Sequence, residues 1–261
     1  MTRILSALVI IPIVVGTIWL APAWATLVLA MLAAGMAFLE LARLAGADAG
    51  SSTTMVSGVA TLAVCAALGG LGRAVEAPLL AAVIAVGAAA VARGRTDEDV
   101  VRHAAVALFP VLYLGLPLGA AAAIRQDWGA AALLALLATT VVSDTAQFYG
   151  GRLLGRRALA PTISPKKTVE GAVSGLVVGG AVLPLLGPWA LPGVDVRMLI
   201  VLGPTLVGLG IVGDLFESLL KRSAGVKDAS SVIPGHGGVL DRIDSVLFAA
   251  PFYYLCLRAV L

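Results

Sequence analysis

Long apolar runs dominate this chain and constrain its fold more than any other feature. A run of about 20 apolar residues is long enough to cross the hydrocarbon core of a bilayer as a helix. Strands of a membrane barrel would instead alternate apolar and polar residues. The sequence therefore predicts an all-α, polytopic integral membrane protein of about nine transmembrane helices. The runs lie at roughly 4–20, 24–42, 55–71, 77–92, 104–123, 129–143, 171–187, 198–213 and 245–261.

The composition agrees with this fold class, and we expect no soluble appendage. The 261 residues are 60% hydrophobic and 13% charged, and the mean hydropathy of +1.01 is one that soluble domains do not reach. We therefore predict a single transmembrane domain. It divides into mainly scaffold helices at 1–140, the segments with most of the polar chemistry at 141–245, and the last helix at 245–261.

The N-terminal run and the two cysteines could indicate a signal peptide and a disulfide, but both are better explained by ordinary membrane helices. Arg3 and the apolar run after it loosely resemble a signal peptide, but the run is long and a second one follows at once, so we expect a retained first helix. Cys65 and Cys256 both lie inside apolar runs. Buried packing is therefore expected for both, without a disulfide framework.

The distribution of positive charge predicts the orientation in the membrane. With a cytoplasmic N-terminus and nine spans, 14 of the 18 Lys and Arg residues fall on the cytoplasmic side. This bias is the one that the positive-inside rule describes. The same arrangement places two polar segments, 144–170 and 214–244, at one face, where distant parts of the chain can meet.

Glu40 stands apart from these segments, within or near the second run. A carboxylate at membrane depth is by default a candidate for a functional role. The alternative is a position at the interface, where the carboxylate is merely solvated. The sequence leaves both open.

The first polar segment predicts contact with phosphate. Between Asp144 and Glu170 it contains five cations and no acid. Lysine is a suitable point-charge partner for phosphate oxygens, and Ser164 or Thr168 could cap the next helix, whose N-terminus would attract phosphate. The alternatives are anchoring of the cations near anionic head groups and plain solvation of the aspartate. The candidate residues are Ser143, Asp144, Ser164, Lys166 and Lys167.

The second polar segment contains the carboxylates of a predicted metal site. Asp214 and Ser218 are four residues apart and share a helix face, whereas Glu217 is expected on a neighbouring face. Asp241 and Asp244 are three apart and share a face at the start of the last helix. Hard divalent cations prefer carboxylate oxygens, so we predict that Asp214 and Asp241 meet and bind one. The alternative is a pair of solvated helix ends.

A dense set of other polar residues lies between and beside these carboxylates. A turn with several glycines permits close backbone approach there, and its histidine could act as an acid, a base or a phosphate donor. The further candidates are Lys221, Arg222, Lys227, Asp228, His236, Gly237, Gly238 and Arg242.

These residues resemble the signature of the phosphatidate cytidylyltransferases, also called CDP-diacylglycerol synthases. The pattern is Ser218-x-x-Lys221-Arg222, Lys227-Asp228 and His236-Gly237-Gly238-x-x-Asp241-Arg242-x-Asp244. Ser143-Asp144 and Ile163-Ser164-Pro165-Lys166-Lys167-Thr168-x-Glu170-Gly171 resemble the family as well. Val169 departs from the pattern, since family members commonly carry an aromatic residue there.

The resemblance implies transfer of the cytidylyl group of CTP to phosphatidate, with Mg²⁺ required and a second cation possible. It implies a homodimer in the bacterial inner membrane whose site faces the cytoplasm, with no nucleic-acid partner. The implied catalytic residues are Asp214, Asp241, Asp244, Lys227 and His236, and the implied metal ligands are Asp214, Asp241 and Asp144. The implied substrate-binding residues are Ser143, Asp144, Ser164, Lys166, Lys167, Ser218, Lys221, Arg222, Asp228, Gly237, Gly238 and Arg242.

Two other function classes remain open. A CTP-dependent kinase of a lipid alcohol would use similar chemistry, although the complete second motif argues against it. An ion-coupled transporter would be expected to show internal repeats and charge near mid-membrane, whereas the charge here clusters at one interface. The phosphate-binding loop pattern GxxxxGK[ST] does not occur in the sequence.

Overall fold

The structure is a computed structural model that describes residues 2–48, 50–72, 74–94, 96, 99–230 and 237–261, with the backbone alone for 2–7. Apolar sequence becomes helix throughout. The helices are α1 (Thr2–Leu20), α2 (Ala23–Leu44), α3 (Ser52–Leu68), α4 (Glu76–Arg93), α5 (Val100–Pro110), α6 (Leu116–Leu154), α7 (Val169–Ala190), α8 (Val196–Ser223) and α9 (Leu240–Val260). A π-helical turn, Val111–Gly115, joins α5 to α6.

The prediction of a polytopic helical membrane protein is confirmed, but the predicted count of nine spans is a slight overstatement. Among the described residues, six helices are long and apolar enough to cross a membrane, and two shorter apolar helices, Leu8–Leu20 and Ser52–Leu68, accompany them. The predicted runs 4–20 and 55–71 correspond to these two shorter helices, and the runs 104–123 and 129–143 account for the remaining difference. The latter two runs belong to one helical stretch of 55 residues, Val100–Leu154.

This long stretch is interrupted at Gly129, whose φ of 89° and ψ of 178° are not helical. A straight helix of that length would measure about 80 Å, whereas the hydrocarbon core of a bilayer is about 30 Å thick. Glycine accepts such a positive φ without the steric penalty of a Cβ. The break allows residues on both sides of it, such as Ile124 and Leu136, to pack into one buried cluster.

A small antiparallel sheet interrupts the helical architecture between α6 and α7. Strand β1 (Ala158–Ala160) pairs with strand β2 (Ser164–Thr168), with Ala158 opposite Thr168. An all-α prediction did not include this hairpin. Thr168 ends β2 and caps α7, since its Oγ1 accepts a hydrogen bond of 3.1 Å from the backbone N–H of Gly171. The predicted capping role of Thr168 is therefore confirmed.

Two large buried clusters hold the helices together. The first joins α1, α6, α7, α8 and α9 through side chains such as Leu136, Leu199 and Tyr253. The second joins α2 to α9 through Leu41 and Leu240. Many outward-facing apolar side chains remain exposed, as expected for a surface that contacts lipid.

Glycines bring α6 and α7 into close contact. A Cβ added at Gly175 would lie 2.5 Å from Cγ of Gln147, and one added at Gly179 would lie 2.5 Å from Cβ of Ser143. Any larger residue at these positions would push the two helices apart. The small residues thereby fix the height and orientation of the polar residues on α6.

Candidate active site

The helices that bear the predicted polar residues extend beyond the apolar runs. The sixth predicted run ends at residue 143, whereas α6 continues to Leu154. Helix α8 likewise continues to Ser223. Polar residues extend both helices because one face can stay packed while the other lines a polar site.

Three carboxylates from α8 and α9 form an acidic cluster, defined here as Asp214, Glu217 and Asp244. One oxygen from each lies within 4.8 Å of the others. Glu217 is fully buried, and the two aspartates are half-buried. Glu217, expected on the face next to that of Asp214, received no role in the predicted site, yet its carboxylate lies in this cluster. Residues three apart are neighbours on a helix surface, and this spacing was the signal that could have found it.

Lys167 connects the two polar segments. Its Nζ contacts Oδ2 of Asp214, and both side chains are mostly shielded from solvent. Alternation along β2 explains why its neighbour Lys166 is exposed instead. The segment around β2 and the acidic cluster on α8 and α9 thus belong to one site.

Asp241 lies beside the acidic cluster and is tied into the turn before α9. Its Oδ1 is 2.6 Å from Nζ of Lys221, which also contacts Glu217. Its Oδ2 accepts hydrogen bonds from the backbone N–H of Gly238 at 2.7 Å and of Ala229 at 3.2 Å. The predicted pairing of Asp214 with Asp241 as joint metal ligands stays a prediction, since the structure groups Asp214 with Glu217 and Asp244 instead.

Asp144 lies near this site on α6, whereas Ser143 is buried against Gly175 and Gly179 of α7. Gln147 joins the two. The Nε2 of Gln147 donates to Oγ of Ser143 at 3.1 Å and to Oδ1 of Asp144 at 3.3 Å. Asp144 also interacts electrostatically with Asp214, Lys167 and Arg242. The sequence analysis assigned no role to Gln147, although its position one helical turn after Ser143 indicates that the two side chains can meet.

Arg222 links the end of α8 to the hairpin. Its guanidinium donates to the carbonyl oxygens of Ile163 at 3.4 Å and Val226 at 3.3 Å. These contacts hold the hairpin against α8 and leave the predicted role of Arg222 in substrate binding as a prediction.

The remaining predicted residues surround the site at different depths. Ser164 and Ser218 are partly buried, whereas Lys227, Asp228 and Arg242 are exposed. Gly237 has a φ of 79°, and a Cβ there would lie 2.7 Å from Oδ2 of Asp241. His236 lies outside the described residues.

The acidic cluster fits a hard divalent cation such as Mg²⁺. Its members and Asp241 supply four carboxylates, against two lysines that contact them within the described parts of the chain. An excess of negative charge in a partly buried site is stabilised by a bound cation. Oxygen donors with lysines beside them are suited to binding a metal together with phosphate groups.

Comparison with known proteins identifies the family. The sequence matches the cytidylyltransferase family over residues 1–260. This chain belongs to that family. The resemblance predicted from the two polar segments is thereby confirmed.

Curated relatives of this cytidylyltransferase-family chain include phosphatidate cytidylyltransferases of several bacteria. The one from Helicobacter pylori is 38% identical over 179 residues, which cover 69% of this chain and 64% of the relative. The one from Thermotoga maritima is 37% identical over 171 residues, which cover 62% and 63%. The one from Bacillus subtilis is 42% identical over 115 residues, which cover 44% and 43%. The matches thus span less than two thirds of the length of these relatives.

Proposed function

We propose that this protein transfers the cytidylyl group of CTP to phosphatidate and forms CDP-diacylglycerol and pyrophosphate. The observation that carries the proposal is the contact between Lys167 and Asp214. It joins the two segments that carry the family resemblance into one site. The names of the bacterial relatives support the choice of CTP and phosphatidate as substrates.

The chemistry is an in-line displacement at the α-phosphorus of CTP. An oxygen of the phosphatidate phosphate forms the new P–O bond, and the bond to the bridging oxygen between the α- and β-phosphates breaks. The attacking oxygen is already anionic, so a general base is not required. Catalysis then depends on alignment and on neutralising phosphate charge.

The residues of the site have separate roles in this proposal. Lys167 extends from β2 of the hairpin to Asp214 and would stabilise phosphate charge there, while the exposed Lys166 would meet the substrate from solvent. Lys221 would hold Glu217 and Asp241 in place, because it contacts both carboxylates.

Mg²⁺ is the expected cofactor. Asp214, Glu217 and Asp244 would hold it, and Asp144, which interacts electrostatically with Asp214, would serve a second cation. When bound, the metal would neutralise charge on the CTP phosphates and on the departing pyrophosphate. The positions of the carboxylates determine where the cation would lie relative to the phosphates.

The expected setting is the bacterial inner membrane, with the site open to the cytoplasm and the protein a homodimer. The charge distribution supports this orientation, because most Lys and Arg residues fall on the side of the two polar segments. CTP is soluble, whereas phosphatidate stays in the bilayer with its phosphate at the interface. A polar site at the end of membrane helices suits both substrates.

A product assay tests the proposed reaction. The purified protein in lipid vesicles would be given phosphatidate, Mg²⁺ and CTP labelled at the α-phosphate. We expect label in the lipid fraction and release of pyrophosphate. Transfer from γ-labelled CTP to an added lipid alcohol would overturn the proposal in favour of a lipid kinase. The absence of both products from folded protein would overturn it in favour of transport.

A further inference from the structure

Glu40 on α2 is a buried carboxylate that the reaction outlined above does not use. It is 1% exposed to solvent, so solvation at the membrane interface does not explain it. Its Oε1 accepts hydrogen bonds from Oγ of Ser230 at 2.5 Å and from the backbone N–H of Val239 at 3.0 Å. Its Oε2 accepts one from the backbone N–H of Leu240 at 2.8 Å.

Two of these donors, the N–H groups of Val239 and Leu240, belong to the N-terminus of α9, which needs acceptors from elsewhere. The first N–H groups of a helix have no partner within the helix. The residue at the N-cap position, Val239, has an apolar side chain that cannot accept a hydrogen bond. Glu40 supplies the acceptor from another helix, and its negative charge also complements the positive end of the α9 dipole.

The backbone around α9 is shaped to fit this carboxylate. A Cβ added at Gly238 would lie 2.5 Å from Oε2 of Glu40, so a residue with a side chain would displace one partner. Glu40 is also flanked on α2 by Phe38 and Leu41, which pack in the same buried cluster as Leu240. Hydrogen bonds in such an apolar environment are stronger than in water, and leaving them unmade is costly.

The turn before α9 connects Glu40 to the carboxylates of the candidate active site. Three consecutive backbone N–H groups are bound by carboxylates: that of Gly238 by Asp241, and those of Val239 and Leu240 by Glu40. Asp244 follows less than one helical turn after Asp241 and completes the acidic cluster. A shift or rotation of the α9 N-terminus would therefore move both aspartates.

We propose that Glu40 is a positioning residue that fixes the N-terminus of α9 and thereby places Asp241 and Asp244 for the reaction. This inference rests on the proposed function for its effect on turnover. The anchoring of α9 itself can be measured without any activity. Glu40 acts through the backbone of α9 and touches neither substrate nor metal.

The decisive variant is Glu40→Gln. It keeps the size of the side chain, but its amide NH₂ group would face the backbone N–H of either Val239 or Leu240, so one of these donors loses its acceptor. The matched control is Ser57→Ala. It removes another buried hydrogen bond of the scaffold, from Oγ of Ser57 to the carbonyl oxygen of Ala107, which does not involve α9.

Two readouts separate positioning from general destabilisation. Hydrogen exchange followed by mass spectrometry should show faster exchange at the start of α9 in Glu40→Gln and not in Ser57→Ala. Steady-state kinetics should show kcat for cytidylyl transfer lowered about 10- to 100-fold in Glu40→Gln, as for residues that orient metal ligands. The KM for CTP should change little, and Ser57→Ala should retain the wild-type kcat.

The outcomes distinguish this inference from the proposed function. A folded Glu40→Gln protein with wild-type exchange in α9 and wild-type kcat would overturn the inference. Wild-type protein without transferase activity would overturn the proposed function, while the exchange experiment would still decide whether Glu40 anchors α9. Should Glu40→Gln not fold, Glu40→Asp keeps the charge on a shorter side chain. It should then show an intermediate loss of kcat, and an unchanged kcat would count against positioning.

Discussion

At the scale of single residues, the two neighbouring lysines of β2 are expected to differ in their contribution to catalysis. Lys167 contacts Asp214, whereas Lys166 points to solvent. We expect Lys167→Ala to lower kcat/KM about 100-fold, since a cation in a partly buried site neutralises charge more effectively than one in water. Lys166→Ala should have a smaller effect. Initial rates at varied CTP and phosphatidate would measure both.

The control for this pair is Arg156→Ala. Arg156 is an exposed cation between α6 and β1, and only its backbone N–H makes a described contact, to Glu170. Its removal changes the charge of the same segment without touching the acidic cluster. Equal losses in Arg156→Ala and Lys167→Ala would mean that the lysine acts only through the overall charge of the segment.

The carboxylates of the acidic cluster give a second prediction. Asp214→Asn or Asp244→Asn should lower kcat by about 100-fold or more, because an amide cannot replace the charge of a cation ligand. The control is Asp195→Asn at the opposite end of α8, where Asp195 caps the helix by accepting from the N–H of Arg197 at 2.8 Å. Asparagine caps a helix as well as aspartate does. Turnover at saturating Mg²⁺ compares the three variants, and near-normal rates in the first two would remove them from the metal site.

The residues of the site divide into those that the sequence could reveal and those that it could not. Asp214, Asp244 and Lys167 stand out because charge is rare between apolar runs, and the structure brings them together. Glu217 received no predicted role, because its meeting with Asp244 depends on how α9 packs against α8. The partners of Glu40 lie 190, 199 and 200 residues away, and no local pattern indicates a contact across that distance.

At the scale of secondary structure, the close approach of α6 and α7 predicts a steric sensitivity. Gly179→Val would force its side chain into Ser143, so we expect a loss of about 1–3 kcal/mol in stability and a lower kcat as Ser143 and Gln147 shift. Gly208→Ala on α8 is the control, because a Cβ there has no atom within 4 Å among the described residues. Thermal unfolding in detergent micelles and the transfer assay would be measured together. A Gly179→Val protein as stable and active as the control would show that the contact does not position the site.

The elements themselves were largely predictable, and their ends were not. Apolar runs of membrane length specify helices, because every backbone group in lipid needs an internal partner. The ends differ because polar residues continue α6 and α8 beyond the lipid-facing part. The hairpin of β1 and β2 was missed because its short strands, Ala158–Ala160 and Ser164–Thr168, show no alternation of apolar and polar residues, and its pairing depends on Ala158 lying opposite Thr168.

At the scale of the whole molecule, the orientation in the membrane can be tested without any reference to catalysis. Helix α8 has 28 residues and is about 42 Å long, so its two ends lie on opposite sides of a bilayer. In a Cys65→Ala, Cys256→Ala background, Arg197→Cys should react with an impermeant maleimide from the periplasmic side. Lys227→Cys should react only from the cytoplasmic side. The reverse labelling pattern would invert the proposed orientation.

The contact between Glu40 and α9 also has a consequence for how the protein is made. Glu40 leaves the ribosome 200 residues before Leu240. At a synthesis rate of about 5–20 residues per second, the N–H groups that bind its carboxylate are synthesised about 10–40 seconds later. During that interval α2 enters the bilayer with an unpaired acid, which is costly in lipid. Once α9 is inserted, its N–H groups bind the carboxylate and remove this energetic cost. The stable insertion of α2 therefore depends on the insertion of α9.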